Sequence, residues 1–208
     1  MAESKGRILV IDDEAEIRES LQALLGLEGY EVDSAPDGAA GLAALEARAY
    51  DMVLLDLMLP DRSGLEVLEE LRRYDAATPV AVITAYGSVE SAVAAMKLGA
   101  ADFLEKPFDD VAILDTVKSA LARREKAYQH DALREQVSER IAALSQRERQ
   151  VLECLVVGQA NKTIAYELGI SPRTVEVYRA NVMTKMKAQS LSELVRMALL
   201  AGISPKAA

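Results

Sequence analysis

The chain has 208 residues and a mass of 22.5 kDa, room for one large domain or two modest ones. Half of its residues are apolar and 27% are charged, a globular balance that argues against a disordered chain. One cysteine (Cys154) and one histidine (His130) exclude an internal disulfide framework and a Cys/His metal cage.

No apolar run approaches the roughly 20 residues that a membrane-spanning helix needs. The opening residues 1–7 pass straight into a strand pattern without an apolar signal core. With the lone cysteine, this points to a cytoplasmic chain without a membrane partner. The net charge of −9 is unevenly spread. Residues 1–137 hold 27 Asp and Glu against 14 Lys and Arg, whereas residues 138–208 hold 6 against 10. An acidic module joined to one that meets a polyanion fits this split, and so does chance clustering of surface charge.

Five short runs, at 7–11, 31–35, 52–55, 80–83 and 102–105, predict strands. The first, third and fourth are apolar at consecutive positions, as expected for a parallel sheet covered on both faces. Between them lie helical spacings such as Ile17, Leu21, Leu24, Leu25 and Val89, Val93, Met96. Five βα repeats of this length imply right-handed crossovers and a doubly wound (βα)5 sheet. Turn signals stand at 36–38, Gly64, Gly87 and Gly99.

From Asp109 the pattern turns helical. Val111, Leu114, Val117 and Leu121 predict an apolar stripe, followed by a strongly polar stretch. No Gly or Pro interrupts 108–157, so the junction at 123–140 is expected to be a helical linker rather than a flexible tether. His130 falls in this polar run, as a solvated position. Four helices are predicted beyond it, at about 145–157, 160–167, 171–186 and 190–201. Ser145, Ser171 and Ser190 suit their N-caps, and Gly158 and Gly169 suit stops. Cys154 falls on an inward position of the first.

In open α/β sheets, ligands bind beyond the carboxyl ends of the strands. There the sequence places Asp12, Asp13 and Glu14 after the first strand, Asp56 after the third, Thr84 after the fourth and Lys106 after the fifth. Converging carboxylates repel one another, and a hard divalent cation such as Mg2+ (or Mn2+) is their natural compensation. A carboxylate beside a metal and a lysine is a nucleophile towards phosphoryl groups. The plainer alternative is that each Asp only caps a helix.

The motifs VIDDE at 10–14, LDLMLPD at 55–61 with Gly64, ITA at 83–85 and FLEKP at 103–107 resemble the receiver domain of two-component response regulators, a CheY-like, flavodoxin-like fold. The resemblance implies a phosphoacceptor Asp56 and a metal held by Asp12, Asp13, Asp56 and the Met58 carbonyl. It also implies phosphate and switch roles for Thr84, Ala85, Phe103 and Lys106. Many relatives carry Tyr at the place of Phe103.

At 160–186 the spacing of Ile164, Ala165, Leu168 and Gly169, then of Val175, Val182 and Met186, predicts a helix-turn-helix. The arc opposite carries Arg173, Glu176, Val177, Ala180, Asn181 and Thr184, which suits DNA or a protein partner. The words LSQRER at 144–149, NKTIA at 161–165 and SPRTV at 171–175 resemble the LuxR-type output domain of NarL/FixJ-class regulators. By that likeness Glu176, Val177 and Ala180 face bases, while Lys162, Thr163, Arg173, Thr174, Tyr178, Asn181 and Lys185 touch mainly the backbone. Several relatives have Lys at the places of Glu176 and Ala180.

The expected whole is a receiver at 1–122, a linker at 123–140 and a four-helix DNA-binding domain at 141–208. Such a chain is a phosphorylation-controlled transcription regulator, an activator by family likeness, and not an enzyme. Its implied partners are a sensor histidine kinase, promoter DNA and RNA polymerase, with homodimerisation through the fourth helix, fifth strand and fifth helix. The rival from another class is an aspartyl-phosphate hydrolase of the haloacid-dehalogenase kind. That chemistry wants an acid two positions after the nucleophile, where this chain has Met58.

Overall fold

A computed structural model describes residues 4–85 and 87–203. The first unit, up to Lys126, alternates β1 (Arg7–Ile11), α1 (Ala15–Leu27), β2 (Glu31–Ala35), α2 (Gly38–Ala47), β3 (Met52–Asp56), α3 (Gly64–Tyr74), β4 (Val80–Thr84), α4 (Val89–Lys97) and β5 (Asp102–Glu105). It closes on the start of α5 (Asp110–Ala142). The five strands are parallel, in the order β2-β1-β3-β4-β5. The chain winds outward both ways from β1 and β3, so their carboxyl ends flank the switch point.

Alternation along the strands builds two cores. Leu9, Ile11, Val53, Leu55, Val80 and Val82 pack with Leu42 of α2, Val67, Leu68 and Leu71 of α3 and Ala95 of α4. Their neighbours Ile8, Val10, Met52, Leu54, Ala81 and Ile83 face the other way. They pack with Leu21 and Leu25 of α1 and Ile113, Val117 and Ala120 of α5. The unbroken apolar runs are therefore strands buried on both faces.

Two helix faces depart from the sequence pattern. On α4 the stripe Val89, Val93 and Met96 points to solvent, 76%, 46% and 51% exposed, and Ala95 is the buried residue. On α5 Val111 is exposed, while Ile113, Val117 and Ala120 are buried and Leu114 and Leu121 are half-buried. Apolar spacing defines a stripe, but the sheet's edge decides whether that stripe finds a partner.

The second unit begins at Ala127 and holds the rest of α5, then α6 (Gln146–Val156), α7 (Asn161–Leu168), α8 (Pro172–Met186) and α9 (Leu191–Leu200). Val137 and Ile141 of α5 join its core with Val151, Leu152, Leu155, Ile164, Ala165, Val175, Val182, Met186, Leu194 and Ala198. Residues 123–140 thus lie wholly within one helix. Ser145 forms a capping box with Glu148, and Ser171 and Ser190 accept from Thr174 and Glu193 backbone N–H groups. Gly169 ends α7 in the left-handed region at φ 64°, which permits the turn into α8. Among the described residues, no helix is long and apolar enough to cross a membrane.

Candidate phosphoacceptor pocket and DNA interface

Because β1, β3, β4 and β5 run parallel, their last residues meet at one rim. Asp56 and Thr84 are the final residues of β3 and β4, both buried; Asp12 and Lys106 directly follow β1 and β5. The Lys106 ammonium lies 2.7 Å from Asp56 Oδ2, 2.7 Å from Asp12 Oδ2 and 2.9 Å from Glu14 Oε1. Asp12 Oδ1 accepts from the Glu14 N–H at 2.9 Å, and Asp56 Oδ1 from the Met58 N–H at 3.0 Å.

The electrostatics follow from this packing. Burial pushes the Asp12 carboxyl above its ordinary value, and Lys106 only partly offsets that. Burial also works against the Lys106 charge, yet its contacts with Asp12, Asp56 and Glu14 outweigh it and hold the ammonium above the usual lysine value. One cation thus serves three carboxylates.

Carboxylate oxygens of Asp12, Asp13, Glu14 and Asp56 all lie within 4.8 Å of one another. Asp12 Oδ2 is buried and makes only the charge contact with Lys106, without hydrogen-bond geometry. An all-oxygen set of this size, with a buried oxygen short of partners, fits a hard divalent cation. The structure brings together Asp12, Asp13, Glu14, Asp56 and Lys106, the residues the sequence places at these strand ends, and pairs Glu14 with Lys106. A sequence reader sees Glu14 in the run Asp12-Asp13-Glu14, but not that its side chain turns back onto Lys106.

The β3–α3 loop carries Met58, which bridges Ser63, while Gly64 donates to the Leu57 carbonyl at 2.8 Å. A Cβ on Gly64 would sit 2.1 Å from the Asp56 carbonyl oxygen, so only glycine allows this close approach. Phe103 pairs with Val82 in register, which sets it diagonally from Thr84 across β4 and β5 on the same sheet face. It is half-buried against the core there. Ala85 is exposed at the rim. The Lys106–Pro107 peptide is cis.

In the second unit α7 and α8 form the helix-turn-helix, with Val175, Val182 and Met186 inward. Lys162, Thr163, Arg173, Glu176, Val177, Ala180 and Asn181 are exposed, and Thr174 and Tyr178 are half-buried. Lys185, expected on the same interface, has its ammonium 2.7 Å from Glu148 Oε2. The members of that pair are 37 residues apart, beyond the reach of local spacing in the sequence. Cys154 is half-buried, and burial raises its thiol pKa; His130 is exposed.

Comparison with known proteins agrees with both halves. Residues 8–118 match the response regulator receiver domain, and residues 142–198 match the LuxR family of bacterial regulatory proteins. The chain is 58% identical over 196 residues to the transcriptional regulatory protein FixJ of Azorhizobium caulinodans, covering 94% of this chain and 93% of that one. It is 48% identical to FixJ of Bradyrhizobium diazoefficiens, covering 96% and 98%. Among solved structures, full-length FixJ from B. japonicum matches at TM-score 0.63 and 47% identity over 97% and 99% of the two chains. The response regulator StyR matches at TM-score 0.75 and 36% identity over 93% and 98%. The chain belongs to the NarL/FixJ class of response regulators, transcription regulators controlled by phosphorylation and built from a receiver and a LuxR-type DNA-binding domain.

Proposed function

We propose that Asp56 is the phosphoacceptor, and that its phosphorylation drives the receiver at 1–122 to dimerise and the domain at 141–208 to grip promoter DNA through the linker at 123–140. The observation that carries this reading is the nearly buried Asp56 carboxylate, 2.7 Å from Lys106 at the switch point of the sheet. An Asp56 oxygen attacks phosphorus while the bond from phosphorus to the donor's imidazole nitrogen breaks, and the imidazole leaves with that electron pair. Asp12, Asp13, Asp56 and the Met58 carbonyl would hold Mg2+ (or Mn2+). When bound, the ion neutralises charge on the transferred group.

Lys106, already poised between carboxylates, exchanges an Asp56 contact for a phosphoryl oxygen. The group adds about −1.5 to −2 charges. The Thr84 hydroxyl turns towards it, and Phe103, on the same face, fills the space left. Ala85 stands at the rim beside them, where its backbone N–H donates to the phosphoryl group. The partner that supplies the phosphoryl group is a histidine kinase. The exposed apolar residues Val89, Val93 and Met96 of α4 and Val111 of α5 support a dimer face along α4, β5 and α5. Pairing would set two copies of α8 on successive major-groove half-sites. Glu176, Val177 and Ala180 face bases, with Glu176 accepting from a cytosine amino group; Lys162, Thr163, Arg173, Thr174, Tyr178 and Asn181 take the backbone. The output is activation, through RNA polymerase, in the cytoplasm.

Duplex binding measured with and without a small acyl phosphate and Mg2+ tests this. Wild type gains affinity with the phosphodonor and Asp56→Asn gains none. Equal stimulation of both would refute the role of Asp56.

A further inference from the structure

Helix α8 is seated by three fully buried residues, Val175, Val182 and Met186. Apolar contacts of this kind fix which face of the helix packs inward; being non-directional, they leave its finer roll to directional bonds. Directional bonds gather at its C-terminal end. Lys185 Nζ lies 2.7 Å from Glu148 Oε2 and 3.4 Å from the Ala143 carbonyl oxygen. Arg140, from the last turns of α5, donates to the Met186 carbonyl at 3.0 Å and to Gln136 Oε1 at 2.7 Å.

Glu148 is the fixed point of this arrangement. It is buried, 4% exposed, on α6. Its Oε2 accepts from the Ser145 N–H at 2.7 Å, closing the capping box that starts the helix. A carboxylate so placed needs its cation: without Lys185 it is a buried charge with no ionic partner. The other basic residues assigned to DNA are differently situated. Among the described residues, neither Lys162 nor Arg173 forms an ion pair, so their charges face outward.

We infer that Lys185 and Glu148 are a positioning pair for the recognition helix, not a DNA contact: their ion pair fixes the roll of α8, and with it the angle at which Glu176, Val177 and Ala180 meet the groove. The inference rests on the DNA-binding role of α8 proposed above. Arg140 anchors the same end, on the terminal carbonyl of α8, so α5 and α6 together hold it. The pair lies about two turns beyond Val177, where a small change of roll is carried to the reading residues through a rigid helix.

Salt dependence separates positioning from contact. A lysine that neutralises a phosphate releases a counterion, and its loss lowers the slope of log K against log salt by about 0.9. Binding of the full-length phosphorylated chain to an operator selected from random duplex, and to random duplex itself, is measured across a salt series. For Lys185→Met we expect an unchanged slope, roughly tenfold weaker operator binding and a reduced preference for operator over random duplex. Glu148→Gln, which keeps the lysine, should show the same loss, and Lys185→Arg should largely restore binding. Lys162→Met, at a proposed phosphate contact, should lower the slope. If Lys185→Met fails to fold, Lys185→Gln decides the matter: it keeps a hydrogen-bond donor for Glu148 without a charge for a phosphate, so a positioning pair retains operator preference at an unchanged slope, whereas a phosphate contact loses about 0.9 of slope. A slope reduced by about 0.9 in Lys185→Met, with operator and random duplex weakened equally and Glu148→Gln undiminished, would overturn the inference. Absence of duplex binding by the wild type would instead overturn the DNA-binding reading beneath it.

Discussion

At the scale of single residues the pocket is organised around one lysine. Lys106 is shared by Asp12, Asp56 and Glu14, and its side chain is only 7% exposed. Removing it leaves buried carboxylates without an ionic partner, a loss of about 3 kcal/mol. Lys106→Met is therefore expected to melt earlier than wild type in a chelator. It should recover more stability than wild type on adding Mg2+, because the ion then answers the repulsion alone. No Mg2+ gain in either protein in calorimetry would argue that the four acidic residues do not form a cation site, and equal gains that Lys106 and the ion do not answer the same repulsion. Asp12, Asp56 and Lys106 were legible in the sequence because each stands at or just beyond the end of a recognisable strand, and parallel strands bring such ends together. The Glu14 contact with Lys106 spans 92 positions and depends on a side-chain direction, which spacing does not encode.

At the scale of elements, α4 and α6 show what periodicity can and cannot say. The spacing Val89, Val93, Met96 identified a stripe on α4, but burial falls on Ala95. A stripe of larger apolar residues turned outward is what the proposed dimer face along α4, β5 and α5 would cover. Val93→Glu is expected to change receiver stability by less than about 0.5 kcal/mol, since the side chain is exposed. The same variant should remove phosphate-driven dimerisation in sedimentation; a dimer that persists unchanged would place the interface elsewhere.

On α6 the capping box at Ser145 was readable as a local three-residue rule, whereas the Glu148–Lys185 pair was not. The hydrogen bond from Lys185, followed by that from the Ser145 N–H, holds Glu148 below the usual carboxylate range. A carboxyl lowered in the folded state contributes stability that is complete above its unfolded value and is lost as the pH falls through the folded one. Glu148→Gln should accordingly lower the thermal midpoint of the helical domain at neutral pH and flatten its decline in acid. An acid limb identical to that of wild type would deny the carboxylate this role.

At the scale of the whole molecule, an acidic α/β unit and a helical unit richer in basic residues are encoded in one chain, and α5 contributes to both cores. The doubly wound sheet was fully legible, since unbroken apolar runs alternating with amphipathic stretches admit few other arrangements. The helix-turn-helix was legible from Ile164, Ala165, Gly169 and Val175, whose spacing meets the geometric needs of two crossing helices. Which charges face a duplex was not, because a lysine on a helix flank serves a phosphate or a neighbouring carboxylate equally well until the neighbour is known.

Every step of the proposed control begins with the Asp56 carboxylate. The direct measurement is mass spectrometry of the intact chain and its peptides after exposure to a small acyl phosphate with Mg2+. One phosphoryl group on the peptide bearing Asp56, absent from Asp56→Asn and absent when Mg2+ is chelated, is the expected result. An unmodified chain, or a phosphoryl group that persists in Asp56→Asn, would contradict it.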